Sequence, residues 1–313
     1  MPTSLQEEMG TLRVEPKLAR TLSGIADAVV VISDILRGQG VEESHSTNTF
    51  GDQQLNIDVE SDEVVFNHLR SCGMVKSASS EEQTECQDLG GHGYSVAFDP
   101  LDGSSIVGAN FAVGSIFGIW PGDELIGRRG NEQAAAVYAV YGPRTVLVVA
   151  WPHKGEDTPG QVQEYLLTKH HTGGSQWQLQ RDNISIKDKA VFAPANLRAT
   201  AENEEYQQLV QYWMSHKYTL RYSGGMVPDI HHILTKGGGV FANPVSESAP
   251  AKLRLLYEAA PLALVVEAAG GLAECATGSI LDMTIASTDI RTMVSLGSKS
   301  EVMRSRPALK WQQ

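Results

Sequence analysis

Leu22, Ile25, Ala26, Val29, Ile32 and Leu36 recur at helical spacing, which predicts a helix over residues 18–36 that Gly38 and Gly40 stop. A second helix is predicted over 59–70. Apolar runs at 94–98, 111–120, 134–141 and 145–151 read as strands, and Gly142-Pro143-Arg144 joins the last two as a hairpin turn. Weaker strand patterns follow at 164–168 and 177–179, with a surface loop at 152–160 between the strands. Beyond about residue 190 the chain alternates: helices over 202–216 and 227–234, a strand at 240–242, and a helix over 253–269 around Pro261, stopped by Gly270-Gly271. Residues 1–15 are polar and predicted loose. Elements that must each bury one face stack as sheet and helix layers. The reading is therefore an α/β chain of the α+β kind with two subdomains, 1–190 and 191–313.

Composition adds a core and a sign of charge. Of the 313 residues, 42% are hydrophobic and 20% charged, enough for a sizeable interior. A net charge of -12 repels nucleic acid and anionic membranes, so neither is expected as a partner. It also repels anionic substrates, so a phosphate site would need its own local positive centre. The longest apolar runs, 134–141 and 259–266, fit buried elements and not a membrane span. The N-terminal stretch, with Glu7, Glu8 and Glu15, has no apolar secretory core. A cytoplasmic setting is expected, or a plastid if a transit peptide has been removed. Cys72, Cys86 and Cys275 lie at neither disulfide-framework nor metal spacing, which fits a reducing compartment.

The stretch Asp99-Pro100-Leu101-Asp102-Gly103-Ser104-Ser105 carries the chemistry. A predicted strand delivers Asp99, Pro100 should end the ladder, and Asp102 follows across a turn. Two carboxylates so placed repel unless a cation lies between them, and hard oxygen donors suit Mg²⁺ or Mn²⁺. Gly103 permits close backbone approach, and its successors offer free amides to an anion. Taken alone, the segment reads equally well as a turn, and Glu81-Glu82 as a solvated charged loop. Asp52 sits in a turn, and Asp58 near a helix start where a carboxylate is favoured anyway. Arg221 alone reads as a surface or ion-pairing residue, Tyr222 as core packing or site, and His231-His232 as a helix face. Lys252, opening a predicted helix, is an odd place for a cation and mildly favours a bound anion there. No GxSxG, GxGxxG or GxxxxGK[ST] pattern occurs, so neither a nucleophilic serine nor a nucleotide site has support.

Together, Gly51-Asp52-Gln53, Ser80-Glu81-Glu82, the Asp99–Ser105 stretch and Lys252-Leu253-Arg254-Leu255-Leu256-Tyr257-Glu258 resemble the fructose-1,6-bisphosphatase superfamily. The resemblance runs from about residue 18 to near 303. Within that superfamily the chain looks most like the sedoheptulose-1,7-bisphosphatases, through Asn110-Phe111-Ala112-Val113, Trp120-Pro121-Gly122-Asp123, Tyr141-Gly142-Pro143-Arg144, Asn196-Leu197-Arg198-Ala199-Thr200, Tyr218–Tyr222 and Gly225–Asp229.

The resemblance implies a layered α-β-α-β-α sandwich and Mg²⁺-dependent hydrolysis of a sugar bisphosphate in carbohydrate metabolism of the Calvin-cycle type. Glu81, Asp99, the Leu101 carbonyl, Asp102 and Glu258 would bind the metals, with Mn²⁺ as a substitute. Asp58 and Glu82 would help deprotonate water, with Asp52 in a mobile catalytic loop. Asp102, Gly103, Ser104 and Ser105 would hold the phosphate that leaves. Asn196, Arg221, Tyr222 and Lys252 would hold the distal phosphate and sugar, beside Met226. The residue matching Arg221 reaches in from a neighbouring subunit in the family, which implies a homo-oligomer, a dimer or tetramer.

The alternatives are a fructose-1,6-bisphosphatase, an enzyme of dual specificity, or a catalytically inactive sugar-phosphate sensor. Ala199 and Asn243 replace two pocket tyrosines of the fructose enzymes, which implies more room for a seven-carbon sugar. Residues 41–49 lack the cysteine pair of the plant chloroplast enzymes, so no disulfide switch forms there.

Overall fold

The computed structural model describes residues 3–38, 40–47, 53–153, 160–169 and 174–311. Helices α1 (Leu5–Thr11), α2 (Pro16–Gly38) and α3 (Asn56–Cys72) form the first layer, with the short pair β1 (Glu43–Thr47) and β2 (Gln53–Leu55) between α2 and α3. The second layer is an eight-stranded sheet built from β3 (Val75–Ser80), β4 (Gln87–Asp88), β5 (Tyr94–Asp102), β6 (Val113–Pro121), β7 (Ala135–Tyr141), β8 (Thr145–Trp151), β9 (Gln161–Lys169) and β10 (Ser175–Arg181). Its order is β10-β9-β8-β7-β6-β5-β3-β4, antiparallel except where β3 and β5 run parallel. The one-turn helix α4 (Ser104–Val107) follows β5 directly.

A six-stranded sheet forms another layer, from β11 (Val191–Pro194), β12 (Thr219–Leu220), β13 (Val240–Asn243), β14 (Leu272–Cys275), β15 (Gly278–Ser279) and β16 (Val294–Gly297). Helices α6 (Met226–Lys236) and α7 (Ala260–Ala268) lie between the two sheets. Helices α5 (Glu204–Ser215) and α8 (Lys299–Leu309) cover the outer face of the second sheet.

Side-chain alternation assigns these layers. In β7, Val137 and Ala139 face Leu22, Val29 and Phe66 of α2 and α3, while Ala136 and Tyr138 face Val227 and Leu262 of α6 and α7. The strand is buried on both sides, so it reads as a continuous apolar run. Phe66, Phe98 and Phe117 join α3 to the sheet, with ring centroids 5.0 and 6.0 Å apart. The far side of the central layer meets Phe241 and Leu296 of the second sheet, whose other face packs on Tyr206, Trp213 and Val302. This is the expected α-β-α-β-α stack.

Three local expectations change. Residues 5–11 are helical and not loose, because Ser4 and Glu7 form a reciprocal capping box and bury Leu5 and Met9. Strand β5 does not stop at Pro100 but runs to Asp102, because the ladder bulges there and a proline needs no amide partner in a bulge. The helix over 253–269 begins instead as a π-helical turn at Leu255–Ala259 before α7. Lys252 thus lies on exposed non-helical chain, two residues before the Arg254 cap. All three cysteines are free.

Candidate metal and phosphate site

The bulge in β5 solves a geometric problem. On a regular strand, residues three apart point to opposite faces. Here Asp99 pairs with Ile116 while Asp102 pairs with Gly114, so three steps on one strand match two on the other. Both carboxylates then turn to the same side, where the π-helical turn delivers Glu258. Ligand oxygens of Asp99, Asp102 and Glu258 lie within 4.8 Å of one another, and all three residues are buried. Each is held in place. Asp99 Oδ1 accepts from Leu101 N at 2.9 Å, and Glu258 Oε2 from Arg254 N at 2.6 Å. Asp102 accepts from Met226 N at 3.2 Å and Val227 N at 2.7 Å, the first amides of α6, where the helix dipole favours negative charge.

Burial pushes all three carboxyls toward the neutral form, and neighbouring acids add to it. For Asp99 the causes are burial first, then Glu81, Asp102 and Glu258. For Glu258 they are burial, then Glu81. Asp102 rises to about 6 through burial, against the two amides. A dry cluster of acids with hard oxygen donors is what a divalent cation relieves, so the donor set fits Mg²⁺ or Mn²⁺. Leu101, whose carbonyl is the remaining expected ligand, is buried in the bulge itself.

Glu81 stands at the edge of this cluster. Its carboxylate ion-pairs with the buried guanidinium of Arg254. It is not among the three converging ligands, yet it acts electrostatically on Asp99 and Glu258. The Ser79 hydroxyl and Tyr257 hydroxyl, 2.7 Å apart, tie the strand before Glu81 to the turn carrying Glu258.

Asp58 opens α3 beside this centre. Its Oδ2 accepts from Leu55 N at 2.9 Å, and its buried Oδ1 has no partner among the described residues. Burial, with Glu82 and Glu81 nearby, raises its pKa to about 7. Glu82 is half-buried. Asp52 lies outside the described residues. Gly103 adopts φ 84°, and a side chain there would also press on Gly225 Cα at 3.3 Å. Ser104 and Ser105 then open α4 next to Asp102.

The distal residues are more scattered in role. Asn196 does not project freely: its amide donates to the carbonyls of Pro244 at 2.8 Å and Ala249 at 3.0 Å. Arg221, Tyr222 and Lys252 are exposed, and Met226 is buried at the start of α6. The Tyr222 hydroxyl is raised above the usual phenol range, by partial burial first and then by Asp229. Ala199 is wholly buried against α5 and lines no open space, so it does not itself widen a pocket. The sequence reading missed Asp62, Asp229 and Arg254, three buried charged residues around the site. Asp62 was accessible to it as the residue one helical turn beyond Asp58.

Family models of the fructose-1,6-bisphosphatase N-terminal domain and C-terminal domain match residues 4–168 and 186–310. The chain belongs to the fructose-1,6-bisphosphatase family. Members similar to it include the chloroplastic sedoheptulose-1,7-bisphosphatase of Spinacia oleracea, 44% identical over 98% of this chain and 78% of the relative. The class 1 fructose-1,6-bisphosphatase of Syntrophotalea carbinolica is 37% identical over 91% of this chain and 87% of its own. Among solved members of the family, the Leishmania major fructose-1,6-bisphosphatase in holo form superposes with a TM-score of 0.89 at 31% identity, covering 98% of this chain and 99% of that one. A Toxoplasma gondii protein assigned as a sedoheptulose-1,7-bisphosphatase gives a TM-score of 0.87 at 36% identity, covering 98% of each chain. Family, fold and the resemblance to the sedoheptulose branch agree with the sequence reading.

Proposed function

We propose that this phosphoric monoester hydrolase removes the 1-phosphate of sedoheptulose 1,7-bisphosphate, giving sedoheptulose 7-phosphate and inorganic phosphate, with Mg²⁺ as cofactor and Mn²⁺ as a substitute. The observation that carries the reading is the convergence of Asp99, Asp102 and Glu258 beside the Gly103–Ser105 turn. The 44% identity to a chloroplastic sedoheptulose-1,7-bisphosphatase selects the sugar and favours a plastid over the cytoplasm.

Asp99, Asp102, Glu258, Glu81 and the Leu101 carbonyl would hold the metal. Bound there, it supplies charge neutralisation at the phosphoryl group and a more acidic water. The remaining steps belong to the chain. Asp58 presents its Oδ1, unpartnered among the described residues, as the proton acceptor for the attacking water, with Glu82 beside it and Asp52 completing the set. A group with a pKa near neutrality suits that task. Amides of Gly103, Ser104 and Ser105 would hold the departing phosphate together with Asp102. Asn196, Arg221, Tyr222, Met226 and Lys252 would orient the sugar and its distal phosphate, Arg221 acting across the interface of a homo-oligomer. In this reading residues 1–190 carry most of the metal and first phosphate site, and 191–313 the sugar site together with Glu258.

The buried position of Ala199 favours a second reading, dual specificity, because the structural argument for extra pocket room is thereby weakened. Steady-state kinetics with Mg²⁺ decides between them. The proposal predicts a higher kcat/KM for sedoheptulose 1,7-bisphosphate than for fructose 1,6-bisphosphate; equal or reversed values would overturn the seven-carbon preference.

A further inference from the structure

Asp62 is 1% exposed, and none of the proposed steps uses it. It lies on α3 one turn beyond Asp58. Its Oδ2 accepts a hydrogen bond from Gln83 Nε2, and the Ser80 hydroxyl favours its charged form against burial. Ser80 and Gln83 bracket Glu81 and Glu82. The two bracketing residues bind each other reciprocally: Gln83 N donates to Ser80 Oγ at 2.9 Å, and Ser80 N to Gln83 O at 3.0 Å. Glu81 N in turn donates to Phe98 O of β5 at 3.1 Å, one residue before Asp99. The turn is therefore closed on itself, tied to the strand bearing Asp99, and anchored through Gln83 to the Asp62 carboxylate of α3.

That anchor has a definite cost. Asp62 Oδ1 is buried without a partner among the described residues, and burial opposes the charge that the two donors favour. A buried acid bonded to the end of a turn that bears two site carboxylates does more than fill space. An apolar residue of similar size would pack there without the penalty but would leave the Gln83 amide unheld.

We propose that Asp62 is a positioning residue that fixes the Ser80–Gln83 turn, and through it the carboxylates of Glu81 and Glu82, for divalent-metal binding. The proposal rests on the functional reading above. It assigns Asp62 no contact with metal or substrate.

The test uses the full chain, with Mn²⁺ binding followed by electron paramagnetic resonance without substrate, and the Mg²⁺ dependence of phosphate release measured alongside. Asp62→Ala is expected to weaken Mn²⁺ binding and to raise the half-saturating Mg²⁺ concentration, each by roughly 10- to 100-fold, the usual effect of losing a group that orients a ligand. KM for the sugar bisphosphate at saturating Mg²⁺ should stay unchanged. Asp62→Asn should recover most of the loss, because its amide oxygen still accepts from Gln83. Gln83→Ala breaks the same bond from an exposed side chain, so it should shift Mn²⁺ affinity in the same direction in a folded protein even if Asp62→Ala unfolds.

Normal Mn²⁺ affinity in Gln83→Ala, or Asp62→Asn as impaired as Asp62→Ala, would overturn the assignment while an active wild type leaves the phosphatase reading standing. A wild type that neither binds Mn²⁺ nor releases phosphate would overturn that reading, and the role of Asp62 with it.

Discussion

In the proposed mechanism Asp58 is the carboxyl that takes the proton of the attacking water. One oxygen is fixed by Leu55 N, the other is free of partners among the described residues, and burial raises the pKa to about 7. Asp58→Asn should lower kcat by about 10²- to 10⁴-fold, the range for losing a general base, with Mn²⁺ affinity retained. In the wild type, activity should rise with pH as Asp58 ionises, and bound metal should draw this limb below pH 7; a pH–rate profile checks both. The acids that fall in motifs, Glu81, Asp99, Asp102 and Glu258, were legible before folding because their neighbours in sequence are distinctive, while Asp58 alone read as an acid at a helix start. Asp62 offered only its helical spacing from Asp58, and Asp229 lay in the Gly225–Asp229 segment without a role, since an acid on a helix reads as solvated until packing shows it buried. Lys252 misled for a related reason: its argument assumed a helix start, and the chain there is non-helical.

At the scale of elements, the site depends on a misregister. The bulge between Asp99 and Asp102 turns both acids to one face, and Gly114 sits opposite Asp102 where α6 comes closest. A side chain at Gly114 would stand 2.4 Å from Val227 Cγ1 and 2.7 Å from the Ala139 carbonyl. Gly114→Ala should therefore destabilise the protein by about 1–3 kcal/mol, as overpacking does. It should also lower activity by pushing the α6 amides away from Asp102. Denaturant unfolding combined with a Mg²⁺ titration measures both, and unchanged stability would contradict this packing. The long helices and central strands were legible from periodicity, because both faces of the sheet are buried and the apolar runs are long. The bulge, the π-helical turn and α1 were not. The first two come from tertiary demands on where Asp99 and Glu258 must point, and the third rests on a two-residue cap.

For the whole molecule, five layers hold acids from both halves of the chain in one dry centre. In EDTA, the raised pKa values of Asp58, to about 7, and Asp102, to about 6, mean that the folded state keeps protons which the unfolded state releases above pH about 4. Their stabilising contribution is full below that pH and is lost as pH rises to about 7. Thermal unfolding in EDTA should thus show Tm falling across that window, and Mg²⁺ should reduce the fall by favouring the ionised acids. Identical profiles with and without Mg²⁺ would argue against a shared cation. The layer order was legible because the alternating elements each leave one face to cover, but which acids meet between the layers depended on the register of the strands.

The most direct measurement is phosphate release from sedoheptulose 1,7-bisphosphate while Mg²⁺ is titrated into protein first stripped with EDTA. Saturable release that begins only with Mg²⁺, and that Asp99→Asn and Glu258→Gln both abolish, is the predicted result. Release at full rate in EDTA, or with either carboxylate removed, would contradict it.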